Sequence, residues 1–360
     1  MKARILLLAL LAIFSIPASA GNFYGMLRAR DLTPFGFLRL DMRPAHAVSI
    51  EPGSWVLETE FDYQNTWALS PEVEKYLNGL EASGRRHLGP QELADIRNLP
   101  GENYLVDLEM ATVDVTLHYK FSPHVAGYLI MSGVSYEGGF MDDTIERFHN
   151  SAGFHTFGRP AVARNDVNLI YDLKSVDYAS LGSAPSHGGL LDPTIGLRYG
   201  VALSDRWRMS VEGAAKLAVA GKRTLLSTGR SDAGLQVAVQ YRGNRQAFYA
   251  NVAGVYYAGG DFPVKQDAQV VPTLILGYEY MLTANTNLNL QAYASKSVYS
   301  HSETDLQELL DNKYQVTAGF RHRTRDVIVT FGMTENVQNI NNTPDIGFQL
   351  GVAWVPAMQR

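Results

Sequence analysis

Tyr314-Gln315-Val316-Thr317-Ala318-Gly319-Phe320-Arg321 sets apolar side chains at even positions, small Ala318 apart, against polar residues or glycine at odd ones. The alternation continues with Val327, Val329, Phe331 and Met333 opposing Ile328, Thr330, Gly332 and Thr334. It ends with Ile346, Phe348, Leu350, Val352 and Trp354 opposing Gly347, Gln349, Gly351 and Ala353. A period of two specifies extended strands with two unlike faces. Soluble sandwiches alternate too, but their strands usually hold about five or six residues. Strands of about ten residues with aromatics near their ends fit a closed barrel crossing a bilayer.

Twelve segments carry the pattern: 54–65, 108–121, 124–135, 191–203, 206–219, 232–242, 246–258, 271–282, 286–298, 313–323, 326–335 and 344–355. The third is the weakest, because Tyr128 and Ile130 sit on its polar face. Five links are tight turns: Ser122-Pro123, Ser204-Asp205, Gly243-Asn244-Arg245, Thr283-Ala284-Asn285 and Thr324-Arg325. Their residue types suit turns for backbone reasons, and they alternate with longer links. That asymmetry predicts an antiparallel up-and-down transmembrane β-barrel with short periplasmic turns and long outer loops, chiefly 66–106 and 137–190. Twelve strands return both chain ends to the periplasm. If 35–42 and 166–173 both joined the wall, the count would be fourteen.

Residues 1–20 read as a signal peptide: Lys2 and Arg4, an apolar stretch from Ile5 to Ile16, then Ala18-Ser19-Ala20 before the cleavage point. Beyond it no run approaches the length of a membrane-spanning helix. The mean hydropathy of −0.11 fits a barrel, since half of each strand faces the lumen. The absence of cysteine excludes disulfides and thiolate metal sites. Loss of Lys2 and Arg4 moves the formal charge from −5 to −7, against nucleic acid as a partner. The expected partners are outer-membrane lipid, the barrel insertion machinery during assembly and a small solute, with no cofactor. Gln349-x-Gly351-x-x-Trp354 is similar to the C-terminal signal read by that machinery, with Pro356 where a second aromatic is usual.

Outside the wall strands (54–355), residues 21–53 contain Pro34, Pro44 and Pro52 and form either a periplasmic arm or a lumen segment. Ser70 and Pro71, followed by Val73, Tyr76, Leu77 and Leu80 and closed by Gly84, predict a helix. Residues 302–310 predict a short amphipathic turn with Leu306, Leu309 and Leu310 on one side. The most distinctive loop is Gly138-Gly139-Phe140-Met141-Asp142-Asp143-Thr144-Ile145-Glu146-Arg147-Phe148-His149. Asp143 and Glu146 form an expected capping box, and Ile145 with Phe148 an apolar face. The simplest reading is a helical lid or plug filling the upper lumen; the alternative is that Asp142, Glu146 and His149 converge on a ligand or divalent ion.

That loop motif, Arg30-Asp31-Leu32-Thr33-Pro34 and Asn65 at the end of the first strand resemble a proteobacterial family catalogued as domain of unknown function 3187. The resemblance covers most of the mature chain and implies an outer-membrane setting. It supplies no catalytic or binding residue.

Alternation places Glu58, Glu60, Asp62, Asp114, His118, Lys120, Arg198, Arg208, Glu212, Lys216, Glu279 and Arg321 in the lumen. Both signs are present, so these residues do not make a one-sign selectivity ring. They either pair across a narrow interior or line a small polar pore. A lipid-modifying hydrolase is the rival class. His118 falls inside near the periplasmic end, His322 outside at that level, and His301 at an outer rim with inward parity. His46, His87, His124, His149, His155 and His187 fall in loops or turns. Ser186-His187 and Ser151 near His149 are sequence neighbours without a fixed nucleophile–base geometry. No GxSxG, HExxH or P-loop occurs. A structural or surface-interaction barrel is the third class. Passage or binding of small polar or amphiphilic solutes is the expected function, with no enzymatic activity.

Overall fold

The computed structural model describes residues 22–28, 36–44, 51–174, 176–181, 187–220, 225–260, 267–338 and 345–355. Its wall strands are β1 (Trp55–Leu69), β2 (Asn103–Lys120), β3 (Val125–Glu137), β7 (Thr194–Ala202), β8 (Trp207–Lys216) and β9 (Asp232–Arg242). They continue with β10 (Gln246–Tyr257), β11 (Gln269–Met281), β12 (Thr286–Ser295), β13 (Lys313–Thr324), β14 (Val327–Gln338) and β15 (Ile346–Trp354). Each pairs antiparallel with the next, and β15 pairs back onto β1, with Leu57 opposite Trp354 and Asn65 opposite Ile346. The result is a closed twelve-stranded barrel. A hairpin of β4 (Asn168–Leu173) and β5 (Val176–Leu181) extends the sheet beside the top of β2. The two-residue β6 (Gly189–Leu190) pairs with β3 just ahead of β7. The segments 35–42 and 166–173 therefore stay out of the wall, and the count is twelve.

Closure leaves no open sheet edge in the hydrocarbon, where an unpaired backbone group would cost several kcal/mol. Large apolar residues of one parity face outward, among them Leu57, Phe61, Val115, Leu197, Val237, Val252, Leu276, Phe320 and Leu350, all exposed. The end that carries the five tight turns is ringed by aromatics. Trp55 lies 4.3 Å from Tyr119, Trp207 5.0 Å from Tyr241 and Phe248 5.1 Å from Tyr278. The last of these turns is Arg325-Asp326 rather than Thr324-Arg325, because Arg325 takes the positive φ of 53° and Thr324 still pairs with Val327.

Two strands outrun the sequence reading. β1 continues to Leu69 and β2 begins at Asn103. Above residue 63 the outward face turns polar (Asn65, Asp107, Glu109) and is buried. Helices cover it there instead of lipid. These are α1 (Pro71–Leu80), α2 (Pro90–Arg97) and α3 (Asp142–Ala152). α1 is the helix expected after Ser70, although the Ser70 hydroxyl donates to Asn103 Oδ1 at 3.1 Å and makes no cap. α2 was not anticipated; its signal is Gly89-Pro90-x-Glu92, with Glu92 accepting the Gly89 N–H at 3.0 Å. An apolar cluster of Trp67, Leu69, Val73, Leu77, Ile96, Leu105, Ala161 and Ile170 seals this cap to the outside of the flared rim.

Replacing Val237, near the middle of β9 on the outward face, by Arg is expected to destabilise the liposome-folded barrel by about 2–4 kcal/mol. Urea unfolding in bilayers measures this, and an aqueous surface position would lose little.

Candidate functional site

The lumen contains the chain's own N-terminal segment. Residues 22–28 and 36–44 are buried inside the wall, apart from exposed Asn22 and half-buried Asp41. Of the range 21–53, residues 22–28 and 36–44 occupy the lumen, whereas residues 51–53 lie at the periplasmic rim, where the Gly53 N–H donates to the Lys120 carbonyl. Residues 1–21 and the Arg30–Pro34 motif lie outside the described residues, as do Ser186 and Pro356.

At the periplasmic end the wall grips backbone. Glu279 accepts the N–H groups of Tyr24 (2.7 Å) and Gly25 (3.1 Å), and also bonds Tyr249 and Asn287. Arg321 donates to the carbonyls of Tyr24 (2.6 Å) and Met26 (3.2 Å). Glu58 accepts from His118 at 2.8 Å, with Arg28 at 3.8 Å and Arg321 at 3.9 Å. Midway, Arg43 bridges Asp114 and Glu60, and its carbonyl accepts from Gln236 at 3.2 Å. Toward the outer end Lys216 donates to the Leu38 carbonyl at 2.8 Å, and Asp232 accepts the Leu40 N–H at 3.0 Å. Lys216 also lies 3.2 Å from Asp232 and 3.6 Å from Asp192.

Every lumen candidate from the sequence therefore lies on the inward parity, in two sets. Glu58, Glu60, Asp114, Lys216, Glu279 and Arg321 touch the N-terminal segment. Arg198 and Glu212 pair within the wall at 2.5 Å, with the Tyr128 hydroxyl donating to Glu212 at 2.7 Å. Asp62 accepts from Thr112 at 3.4 Å. His118 reaches the segment only through Glu58, while Lys120 and Arg208 are half-buried near the periplasmic rim. Sequence reasoning missed the segment's own Arg28, Arg39 and Arg43, and also Asp192 and Asp232, because their partners are remote in the chain.

Apolar contacts use glycine pits in the wall. A Cβ on Gly277 would sit 2.3 Å from the Met26 sulfur, and one on Gly234 2.7 Å from that of Met42. Beside the Arg39–Asp232–Lys216–Asp192 group, the outer half of the lumen carries an apolar surface: Phe37, Leu40, Met42, Tyr104, Val106, Leu108, Met110, Tyr136 and Tyr257 form one cluster, joined by Leu309 of α4 (Gln307–Leu310). The turn expected at 302–310 thus folds into the mouth. Beside the segment, Arg39, Asp41, Arg43, Asp192 and Lys216 border a cavity of ≈ 20 Å³, room for about one water. A larger concavity, ≈ 1080 Å³, lies on the outward face between Trp55, Leu129, Leu197, Leu235 and Tyr256.

The Gly138–His149 motif has a different place from the one expected. α3 packs on the outside of the rim, so it is not the lumen plug. Glu109 on the outward face of β2 accepts the N–H groups of Phe140 (2.9 Å) and Met141 (2.6 Å) and bonds Tyr63 and Asn65. Gly139 has φ 78°, and a Cβ there would lie 1.9 Å from the Glu109 carboxylate; one on Gly138 would lie 1.8 Å from the Asn165 carbonyl oxygen. Only glycine allows that approach. Asp142 is bound by Asn65 (3.1 Å), Arg159 (2.8 Å) and the Asn165 N–H (2.8 Å). Arg159 also reaches Asn65 and Asp345, and its guanidinium stands 4.9 Å over the Trp67 ring. Burial raises the Asp345 carboxyl above the usual aspartate value, against the pull of Arg159.

The capping box does not form: Asp143 pairs with Arg147 and Arg164, Glu146 with Arg85 and Arg164, and Met141 is the N-cap. Ile145 is buried but Phe148 is exposed. Asp142 and Glu146 are buried with arginines, while half-buried His149 bonds the His155 carbonyl at 2.9 Å. These three do not converge, and among the described residues no metal-binding group of three ligands occurs. Ser151 donates to the Phe148 carbonyl, not to His149. His322 faces Thr286 at 2.9 Å on the exposed periplasmic rim.

Arg159→Met would strand Asp142 and Asp345, a loss of about 3–5 kcal/mol for a broken buried pair. The expected result is rapid proteolysis within 138–165 with unchanged barrel circular dichroism.

Comparison with solved structures finds the "COG4313 outer membrane channel from Pseudomonas putida F1" at 8% identity and TM-score 0.53, covering 87% of this chain and 99% of that one. The Ralstonia pickettii toluene transporter TbuX matches at 10% identity and TM-score 0.40, covering 86% and 90%. The first likeness shows the fold, that of outer-membrane barrels; the second is too loose to carry an argument. Comparison with curated proteins finds no match. The family model described as "Protein of unknown function (DUF3187)" matches residues 4–354, and the chain belongs to that family.

Proposed function

We propose that the barrel sits in the outer membrane and passes or binds small amphiphilic solutes, with residues 22–28 and 36–44 filling its lumen in the state described. The supporting observation is how the interior charges are used. Glu279, Arg321, Lys216 and Asp232 spend hydrogen bonds on the backbone of the N-terminal segment. The wall is thus a receptor for an elongated polar chain, and the N-terminal segment is a tethered occupant of it. The solute class follows from the mixed lining of the lumen. Aromatic and apolar surface lies beside buried charge, including Arg39, Asp192, Lys216 and Asp232 toward the outer end, which suits a molecule with an apolar body and a polar end. The fold is shared with a protein described as an outer membrane channel, although architecture alone does not fix function.

The segment is displaceable in principle. Each neutral hydrogen bond nets about 0.5–1.5 kcal/mol and each charged one about 1.5–3. Water entering the vacated lumen would resolvate the exposed groups. Wall pairs such as Glu58–His118 and Arg198–Glu212 need no plug to persist. The competing reading is a permanently filled structural barrel, favoured by Met26 and Met42 seated in glycine pits.

Single-channel recording in planar bilayers separates the two. Deletion of residues 22–44 is expected to give larger and more frequent current steps than the full chain. A second variant covers the case in which the deletion does not fold. Met26→Cys with Gly277→Cys, in a chain with no other cysteine, should be silent when oxidised and conduct when reduced. Folded protein without current steps in any of these states would defeat the solute-passage reading.

A further inference from the structure

Three large aromatic side chains on and beside α3 are left uncovered: Phe140, Phe148 and Phe154 are 70%, 59% and 57% exposed. They are not scattered. Phe61 on the outward wall stacks on Tyr63 at 6.5 Å and 17°, and Tyr63 stacks on Phe140 at 5.1 Å and 20°. Phe148 and Phe154 lie 5.9 Å apart. One ladder thus runs from the barrel's lipid-facing belt onto Phe140, and a second pair, Phe148 with Phe154, stands on and just beyond the helix that follows.

Height agrees with continuity. Tyr63 is eight residues above Trp55, the girdle residue that opens β1. At about 3.3 Å per residue and a tilt of about 40°, that is about 20 Å. The apolar band of such a barrel is about 25 Å tall. Tyr63 and Phe140 thus stand at its upper border, where aromatic rings collect in transmembrane barrels.

The helix has three distinct sides. Asp142, Ile145 and Glu146 are buried and locked to the rim. Phe148 sits three residues beyond Ile145, next to it on the helix surface. Arg147, paired with Asp143, is on the solvent side. Buried ion pairs fix the rotation of the helix, so the phenylalanines cannot turn inward without breaking the Arg85–Glu146 and Arg159–Asp142 contacts.

We infer that α3 with its flanking phenylalanines is an interfacial lipid anchor: Phe140, Phe148 and Phe154 insert at the acyl–headgroup boundary of the outer leaflet, and the motif fastens the cap to the bilayer as well as to the rim. Short amphipathic helices bind interfaces in this manner through buried apolar area. The inference needs only the transmembrane barrel and is independent of solute passage.

The cysteine-free sequence allows a direct test. Single variants Phe148→Cys, Phe154→Cys and Ser151→Cys carry an environment-sensitive NBD fluorophore, and the protein is folded into phosphatidylcholine–phosphatidylglycerol vesicles. The probes at 148 and 154 are expected to emit to the blue of that at 151. They should be quenched by lipid carrying a doxyl group near the headgroup end of its chain and shielded from aqueous iodide. Iodide quenching at 148 and 154 equal to that at 151 would overturn the anchor. So would shielding without doxyl quenching, which would mean that a second copy or another part of the chain covers the patch. Phe140→Ser with Phe148→Ser gives an independent reading. It should lower the thermal midpoint in vesicles and leave it unchanged in detergent micelles; equal loss in both would assign the residues to internal packing.

Discussion

Everything inside this barrel depends on one constraint: a narrow closed wall cannot leave its inward charges without partners. Removing one member of a buried pair costs several kcal/mol because the other charge stays desolvated. Glu58, Glu60, Asp114 and Asp232 project into a space the wall alone does not fill. The chain answers with Arg28, Arg43 and Arg39 from its N-terminal segment. Backbone N–H and C=O groups of that segment then take the rest. Charge compensation acts there together with apolar packing, as Phe23 and Met26 sit against Ala247, Tyr249 and Ile275.

The wall was legible because lipid demands one residue class on every outward position and the lumen accepts another. That two-fold contrast survives in a single sequence, as β13, β14 and β15 show. It failed where the outer solvent changes. Asn65, Asp107 and Glu109 carry outward parity but polar chemistry, since helices and ion pairs cover them instead of acyl chains. Reading by alternation therefore ended β1 four residues early and began β2 five residues late. The lumen segment stayed one of two readings for a different reason. Its contacts join residues up to 297 apart, as between Tyr24 and Arg321, and local pattern carries no trace of them. The helix at 142–152 was legible as a helix, but its position was not. Which side of the rim it packs on follows from the parity of Asn65 and Glu109, and a motif considered alone does not contain that.

Glycine has two separate uses in this structure. In the rim motif, Gly138 and Gly139 let backbone wrap a carboxylate and a carbonyl, which fixes a loop. In the lumen, Gly234 and Gly277 omit side chains so that Met42 and Met26 can enter the wall surface. Thioether side chains fill irregular gaps without demanding one shape. A pit occupied by methionine is thus shape-tolerant, whereas a carboxylate collared by N–H groups is directional.

The two ion-pair clusters consequently differ in what opening would cost. The rim cluster is roofed by packed apolar residues of α1, α2 and the wall, so opening it exposes Trp67, Leu77 and Leu105 together with Asp142. At about 25 cal/mol per Å² of apolar surface, that loss adds to the electrostatic one. Opening the lumen also uncovers apolar side chains, among them Phe23, Met26, Leu27, Phe37, Leu40 and Met42, while several wall charges keep partners within the wall. Both clusters therefore lose apolar burial on opening. The difference lies in reserve partners: Glu58 with His118 and Lys216 with Asp232 stay paired within the wall, whereas Asp142 and Asp345 share Arg159.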